Sequence, residues 1–488
     1  MRFALRSAVA ALDSAGLLAE VRGELPEFVS GISDDSRHVE PGFLFIAVRG
    51  SARDGHDYLG RATELGATVA MVEDSSRTHL PAIVVREGRK AAAAASGAAF
   101  GEPSKKLRLI GITGTNGKST TAGILRHLLD KSTGRSASIG TLGVLLGTAG
   151  EIIPGGAELT TPGPVELQRV LRVLVDRGVK TVAMEVSSHS LDQRRIDGLM
   201  FDAAVFTNLT RDHLDYHGTM EAYYSAKASL LEYLKPDGSA AINADDEEWA
   251  RLPVSRKKIL FGKAATADVR ASGVRFSPSG SEWTVHHGGQ SHPVQLPLIG
   301  DVNVHNALAA IAVCVTLGMN LETLAQCLSV LPQVPGRLEV ISSGPTVLRD
   351  YAHTPDALER VLAAIRPFTA GRLILVFGCG GDRDRGKRPQ MGRVAEMGAD
   401  LAIVTSDNPR TENPEQILDD IEAGMQTGKH LRIGDRRIAI ERALMEAGRG
   451  DVVLLAGKGH ETYQILGTTK TPFDEQLIVS ELLAAAGH

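Results

Sequence analysis

Cysteine is scarce in this chain of 488 residues: Cys314, Cys327 and Cys379 are the only three. They form no Cys-x-x-Cys pair and their number is odd, so neither a disulfide framework nor a zinc site is indicated, and a reducing cytoplasm fits. Positive charge is not in excess either. The 53 Lys and Arg fall short of the 58 Asp and Glu, a formal net charge of -5, which argues against a nucleic-acid partner held by a global basic field. Also missing is any run of about twenty apolar residues, the length a membrane-spanning helix needs. The Ala- and Leu-rich start, Met1 to Glu20, is interrupted by Arg6 and Asp13. It lacks the apolar core of an export signal and reads as an amphipathic helix. With 43% hydrophobic and 23% charged residues, the composition is that of a globular protein too long for one core, so two or three domains are expected.

What the chain does have is a phosphate cradle. In Ile110-Gly-Ile-Thr-Gly-Thr-Asn-Gly-Lys-Ser-Thr-Thr121 an apolar run enters a glycine-rich turn, and a helical pattern follows. Backbone N–H groups of such a turn and of the helix N-terminus point at an anion. Lys118 adds positive charge, and the Ser119 hydroxyl suits Mg²⁺. Ile112 stands where the strict P-loop spacing has glycine, so this is a variant, and a fortuitous glycine-rich turn is the competing reading.

Short apolar runs alternate with helical patterns along the whole chain. Residues 42–48, 67–72 and 82–85 read as strands of a small α/β domain. Gly101 to Lys106 looks like a linker, and Leu107 opens the phosphate-binding strand. Strands at 181–186, 203–207 and 238–243 follow, then a helix beginning at about Val304 and a boundary near Pro332 to Gly336. Strands near 346, 373, 401 and 452 form a third unit. Three α/β domains are expected: 1–105, a central 106–335 with a mostly parallel, doubly wound sheet, and a Rossmann-like 336–488.

Polar clusters sit directly after the apolar strands, where open α/β sheets place their ligand crevice. Glu185 ends one strand and could reach a metal held by Ser119; a solvated carboxylate is the bland alternative. Asn208 to Gly218 carries His213, His217, Asp212 and Asp215, which suggests a hard metal with phosphate, although loop histidines are more often surface residues. Lys227 lies on a predicted helix and by pattern alone is a solvated charge. In the third domain the loops 378–389, 406–410 and 457–461 carry charges of both signs, suited to a zwitterion such as an amino acid, or else to a salt-bridged surface.

The order and spacing of six motifs together resemble the Mur ligase family over nearly the whole chain. They are Gly114-Thr-Asn-Gly-Lys-Ser119, Glu185-Val-Ser-Ser-His189, Asn208 to His217, Gly300-Asp-Val-Asn-Val-His-Asn306, Pro335-Gly-Arg337 and Asp350-Tyr-Ala-His-Thr-Pro355. Serine replaces the commoner threonine at Ser119 and keeps the hydroxyl. The resemblance implies an ATP-dependent amide ligase of peptidoglycan precursor synthesis, cytoplasmic and monomeric, using ATP and Mg²⁺. It carries over Lys118, Glu185, His213 and Lys227 as catalytic, with Lys227 carbamylated and Ser119, Glu185, His213 and Lys227 around the metal. ATP would lie against Gly114, Thr115, Asn116, Gly117, Lys118, Ser119 and Thr120, with Asn303, His305, Asn306, Arg337 and Asp350 placing the adenine and ribose.

The tetrad Asp407-Asn408-Pro409-Arg410 resembles that of members adding meso-diaminopimelate to UDP-N-acetylmuramoyl-L-alanyl-D-glutamate. By that resemblance Arg383, Asp407, Asn408, Arg410, Gly457 and Glu461 would hold diaminopimelate. Ser36, Thr160, Thr161, Ser188, Gln193 and Arg195 would hold the UDP-muramoyl dipeptide. The rivals are a lysine-adding member, a folate polyglutamate synthetase and a nucleotide-binding switch. The N-terminal domain and the tetrad weigh against the first two, and the charged loops of the third domain against the last.

Overall fold

The computed structural model describes residues 2–50, 53–156, 159–277 and 279–485. Three sheets of five, eleven and six strands follow one another along the chain, and two small two-stranded ribbons accompany them. Each of the three has an apolar cluster on both faces, so the architecture is three doubly covered α/β layers. Strands buried on both faces read as unbroken apolar runs. Leu373–Phe377 and Val452–Ala456 are of this kind, with every residue buried.

The strands that end at the site are labelled here. In the central sheet β1 (Arg108–Thr113) leads into helix α1 (Lys118–Ser132), and β2 (Thr181–Glu185) and β3 (Phe201–Phe206) flank β1 on either side. All three are parallel, with Glu185 level with Ile112 and Phe206 level with Thr113. β1 is therefore a topological switch point, and its C-terminal end opens a crevice. Helix α2 (Met220–Ala228), strand β4 (Leu234–Asn243) beside β3, and helix α3 (Asp301–Thr316) complete the surroundings. Seven strands of this sheet are parallel; two at each edge are antiparallel. In the C-terminal sheet β5 (Thr346–Asp350) precedes helix α4 (Pro355–Ile365), then come β6 (Leu373–Phe377), β7 (Leu401–Val404) and β8 (Val452–Ala456). They lie parallel in the spatial order β5, β8, β6, β7.

Four expectations change. The N-terminal helix spans only Leu5–Ser14, because Gly16 (φ +68°) caps it and an edge strand, Leu18–Arg22, follows. The Leu17 N–H returns to the Leu12 carbonyl at 2.9 Å and the Gly16 N–H to Asp13 at 2.9 Å, a glycine-terminated stop. Met1 lies outside the described residues. The presumed linker contains a packed 3-10 turn, Pro103–Lys106, with Pro103 and Ser104 buried. Helix α3 starts at Asp301, three residues before Val304. The fourth change concerns Lys227: on a helix of mixed pattern it is only 1% exposed, because α2 turns it toward the end of β1.

Candidate active site

The turn between β1 and α1 takes its shape from two glycines. Gly114 (φ +144°) passes so near the next strand end that a Cβ there would lie 1.9 Å from Thr207 Oγ1. Gly117 (φ +86°) begins α1, and its Cβ would meet Asn306 Oδ1 at 2.3 Å. Only glycine fits at either place. The loop after β3 clamps the turn: the Asn116 N–H donates to Asn208 Oδ1 (2.9 Å), the Thr115 N–H to the Asn208 carbonyl (2.8 Å), and Thr207 Oγ1 to the Asn116 carbonyl (2.7 Å). Ser119 and Thr120 are buried in the first turn of α1. The helix N-terminus and its amides face a cavity of about 650 Å³.

Two lysines converge behind this turn. Lys118 Nζ donates to the carbonyls of Gly114 (2.9 Å) and Thr115 (2.8 Å), and Lys227 Nζ donates to the same Gly114 carbonyl at 2.7 Å. Burial pushes both amines below their ordinary range. For Lys227 the nearby charge of Lys118 adds to it, and the shift is large. Tyr223 lies under the Lys227 amine, 4.5 Å from it to the ring centre. Glu185 is buried at the end of β2, accepting from the Thr141 N–H at 2.9 Å. His213 holds a positive φ of 53° and packs edge-on against His189, ring centres 4.8 Å apart. Lys118, Ser119, Glu185 and His213 all line the cavity. Among the described residues no three His, Cys, Asp or Glu side chains gather at metal-binding distance.

The residues expected to hold the dipeptide come together at the mouth of β2. Thr161 Oγ1 donates to the Glu185 carbonyl (2.9 Å), and Thr160 Oγ1 meets Thr141 Oγ1 at 3.1 Å. Arg195 donates to the Thr161 carbonyl (3.0 Å) and to Gln193 Oε1 (2.6 Å), while Ser188 Oγ meets His217 Nε2 at 2.9 Å. Ser36 is buried in the N-terminal domain, in a 3-10 turn capped by Asp35. It does not line the cavity, but its domain reaches this corner, with Asp34 beside Gly163.

On the opposite wall Asn303 and Asn306 are joined by a 3.1 Å hydrogen bond on α3. His305 meets Asp245 Oδ2 at 2.8 Å and the Asp301 carbonyl at 3.0 Å. Burial opposes charge on His305, but those hydrogen bonds and the two carboxylates outweigh it and raise its pKa. Burial likewise opposes charge on Asp245. The His305 ring and the N–H groups of Lys263 and Ala264 more than offset it, and its carboxyl falls to about 2. Asp350, buried, accepts from the Leu338 and Ala352 N–H groups at 2.7 Å each. Arg337 stacks on Tyr351 and reaches Ser119 Oγ at 3.3 Å, which places its guanidinium beside the first turn of α1. A second interdomain tie is Asp356 on α4, which accepts from Asn116 Nδ2 (3.1 Å) and Thr210 Oγ1 (3.0 Å).

The third-domain loops meet beyond the ends of β6, β7 and β8. Asn408 donates to Glu461 Oε2 at 2.9 Å. Arg410 (φ +51°) donates to the Gly381 carbonyl at 2.7 Å, and Asp407 lies against Gly457. Arg383 is exposed on the same rim. Beneath them Arg388, fully buried, spans Glu412 (2.9 Å) and Asp420 (2.8 Å), and Glu412 in turn takes the Asp382 N–H. Hinge and loop touch through two glycines: a Cβ on Gly336 (φ +64°) would lie 2.2 Å from the His460 nitrogen.

Sequence reasoning passed over several participants. Asp245, which orients His305, follows β4 just as Glu185 closes β2, so the strand-end rule could have found it. The motif histidine His189 proves to be the hub of a ring cluster, in contact with His213, Tyr216 and His217. Burial and the two neighbouring imidazoles push His189 down to about 4. Lys458 was seen only as part of a loop.

Three family models match the chain: "Mur ligase family, catalytic domain" over residues 28–100, "Mur ligase middle domain" over 112–314, and "Mur ligase, glutamate ligase domain" over 336–459. A protein of Synechococcus elongatus, UDP-N-acetylmuramoyl-L-alanyl-D-glutamate--2,6-diaminopimelate ligase, is 45% identical over 468 residues, 92% of each chain. A ligase of the same description from Geobacillus thermodenitrificans is 43% identical over 469 residues, covering 94% of this chain and 95% of its own. A solved structure of a ligase so described is 34% identical, covers 100% of both chains and superposes with a TM-score of 0.68.

Proposed function

The chain belongs to the Mur ligase family, and from that premise we infer that it is the ATP-dependent ligase joining meso-diaminopimelate to UDP-N-acetylmuramoyl-L-alanyl-D-glutamate in peptidoglycan precursor synthesis. The observation that carries the reading is the single cavity in which Lys118 and Ser119 of the central domain face Arg337, Asp350 and His353 of the third. One wall suits a triphosphate and the other belongs to the domain that bears the amino-acid loops.

A carboxylate is a poor electrophile, so an amide forms in water only after activation. An oxygen of the D-glutamate side-chain carboxylate attacks the γ-phosphorus in line, the bond to the β,γ-bridging oxygen breaks, and ADP leaves an acyl phosphate. Lys118, the amides at the start of α1 and Arg337 at Ser119 are placed to stabilise the charge that develops. The neutral amine of diaminopimelate then attacks the acyl carbon, the nitrogen loses a proton, and phosphate departs with the C–O bond. Thr160, Thr161, Ser188, Gln193 and Arg195 hold the dipeptide, with Ser36 toward the uridine end. Asn303, His305, Asn306, Arg337 and Asp350 hold the nucleoside, with Arg337 also reaching toward the phosphates, and Arg383, Asp407, Asn408, Arg410, Gly457 and Glu461 hold the incoming amino acid.

The donors at hand fit Mg²⁺, which binds through one or two carboxylates plus substrate phosphates and keeps several waters, so no preformed three-carboxylate cage is required. Ser119, Glu185 and His213 would hold it, where it would neutralise phosphate charge. Lys227 as an ammonium does not fit beside a cation. Held toward the neutral amine by burial and by Lys118, it is in the form that adds CO₂, forming an N–C bond, losing a proton and becoming a carbamate anion. Native mass spectrometry of the intact protein should show one added CO₂ that Lys227→Ala lacks; an unmodified wild-type chain would refute this.

Among the described residues no helix is long and apolar enough to cross a membrane; the substrates are small molecules, and the cytoplasm is where they meet. The domain limits we assign are 1–105, 106–335 and 336–488. The deciding assay incubates the purified protein with ATP, Mg²⁺ and the UDP-muramoyl dipeptide, with meso-diaminopimelate and L-lysine in parallel, following phosphate and tripeptide mass. Product with diaminopimelate alone is expected. Product with lysine would overturn the specificity, and no product with either would overturn the reaction.

A further inference from the structure

Lys458 is fully buried, 0% exposed, in the loop that follows β8. A lysine is almost never found there unless its charge is met. Its ammonium points into the cluster assigned to the amino acid: Nζ lies 3.2 Å from Asn408 Oδ1, 3.3 Å from Glu461 Oε2 and 3.8 Å from Asp407 Oδ1. The Phe473 and Tyr463 rings close over it at about 6 Å.

The inventory of donors and acceptors then fixes the surroundings. An ammonium has only donors, so Asn408 must turn its oxygen toward Lys458, and the Ile465 N–H meets that same oxygen at 2.9 Å. The amide nitrogen therefore points to Glu461. One of its hydrogens reaches Glu461 Oε2 at 2.9 Å, and the second remains for a ligand carboxylate. Glu461 Oε2 is held from two sides by Asn408 and Lys458, while among the described residues no donor reaches Oε1. That leaves one carboxylate oxygen presented for an ammonium.

Charge gives a second, independent argument. Asp407 and Glu461 contribute two negative charges to the cluster, and Lys458, Arg383 and Arg410 three positive ones, a fixed excess of one. Diaminopimelate whose attacking amine is neutral carries two carboxylates and one ammonium, a net charge of minus one. Without Lys458 that count would be neutral, and Asp407 and Glu461 would lose the ammonium they share.

We propose that Lys458 is a positioning residue for the incoming amino acid: it sets the Asn408 amide and the Glu461 carboxylate so that one N–H and one carboxylate oxygen face the zwitterionic head of the substrate. It touches no reacting atom and acts through those two side chains. The proposal rests on the assignment of this cluster to diaminopimelate.

The test is steady-state kinetics of Lys458→Met and Lys458→Gln, each alone and in a Glu461→Gln background, with every substrate varied in turn. For Lys458→Met the KM for diaminopimelate rises tenfold or more, while kcat and the KM values for ATP and the UDP-dipeptide stay within twofold. Lys458→Gln keeps a donor for Asn408 Oδ1 without the charge and gives a smaller rise. In the Glu461→Gln background either change adds less than twofold. Equal rises for all substrates, a fall in kcat alone, or full additivity with Glu461→Gln would overturn the proposal. Should Lys458→Met fail to fold, an unchanged diaminopimelate KM in folded Lys458→Gln overturns it just as well. A wild-type protein that makes no product with diaminopimelate refutes the underlying assignment instead, so the two failures are distinguishable.

Discussion

The two charged regions of this protein are built on opposite plans. At the end of β1 two buried amines, Lys118 and Lys227, share one neutral partner, the Gly114 carbonyl, and Glu185, a carboxylate lining the same cavity, is engaged by Thr141. Beyond β6, β7 and β8 every buried cation is answered locally: Lys458 by Asp407 and Glu461, and Arg388 by Glu412 and Asp420. An ammonium with no carboxylate partner, as at Lys118, attracts a polyanion, at the cost of burying its charge. Cations paired with carboxylates in place suit a ligand bearing both signs, which needs orientation as well as neutralisation. The same α/β scaffold supplies both, because each time the loops emerge from the carboxyl ends of parallel strands.

The contrast breaks most sharply at the unanswered lysines. Lys118→Ala should lower kcat by roughly a thousandfold or more while circular dichroism stays native, since positioned cations at a transferring phosphoryl group are worth that much. Lys227→Ala, which removes the carbamate proposed above, should do the same; near-normal turnover in either would detach that residue from the chemistry. Lys227 also has a thermodynamic signature. The folded state keeps this amine neutral over a pH range where the unfolded chain protonates it, so wild-type stability should climb as pH rises toward the ordinary lysine range. In CO₂-free buffer Lys227→Met should melt higher than wild type near neutrality, with the gap closing in alkaline solution. A constant gap would mean that the lysine is not held neutral.

At the mixed-charge cluster the effects should be smaller and confined to one substrate. Arg410→Ala should raise the KM for diaminopimelate about 10- to 100-fold, the scale of a charged hydrogen-bond pair, with the KM for ATP little changed. An unchanged amino-acid KM would break the comparison. The smallest change expected is at the nucleoside wall. Asp245→Asn should raise the KM for ATP about threefold and destabilise the protein by about 1 kcal/mol, the worth of one partly exposed hydrogen bond. His305 has a raised pKa, so the wild-type advantage should be complete below the ordinary histidine pKa and shrink as pH climbs through the raised one. Melting curves between pH 5 and pH 9 would show it, and a pH-independent difference would rule out a charged pair.

Much of this was legible in the chain because strand ends announce themselves. An apolar run ending in polar or charged residues marked the phosphate turn, Glu185, the histidine loop and all three third-domain loops, with glycine at the phosphate turn and at loops 378–389 and 457–461, and the resemblance to family motifs suggested their roles. Lys227 was not legible by pattern: helical periodicity reports the face of one helix, whereas its burial depends on how α2 meets the end of β1. Lys458 was hidden by a similar limit. A lysine between two glycines looks like a solvated loop charge until Asp407, Asn408 and Glu461, up to about fifty residues away in sequence, are seen to surround it. The antiparallel edge Val269–Leu296 was missed because its strands alternate buried with exposed residues instead of forming the unbroken apolar runs that betrayed the parallel core.

The two glycines that meet between the hinge and the third domain set a mechanical tolerance. Gly336 is followed by Arg337, which touches Ser119, and Gly459 is preceded by Lys458, which braces Asn408. A single Cβ at Gly336 would overlap the backbone of the facing loop, so the spacing between Arg337 and Lys458 is set by main chain against main chain. With no clearance to absorb movement there, the third domain can swing only as a piece that carries both ends of that contact, like a key whose teeth are cut on one blank.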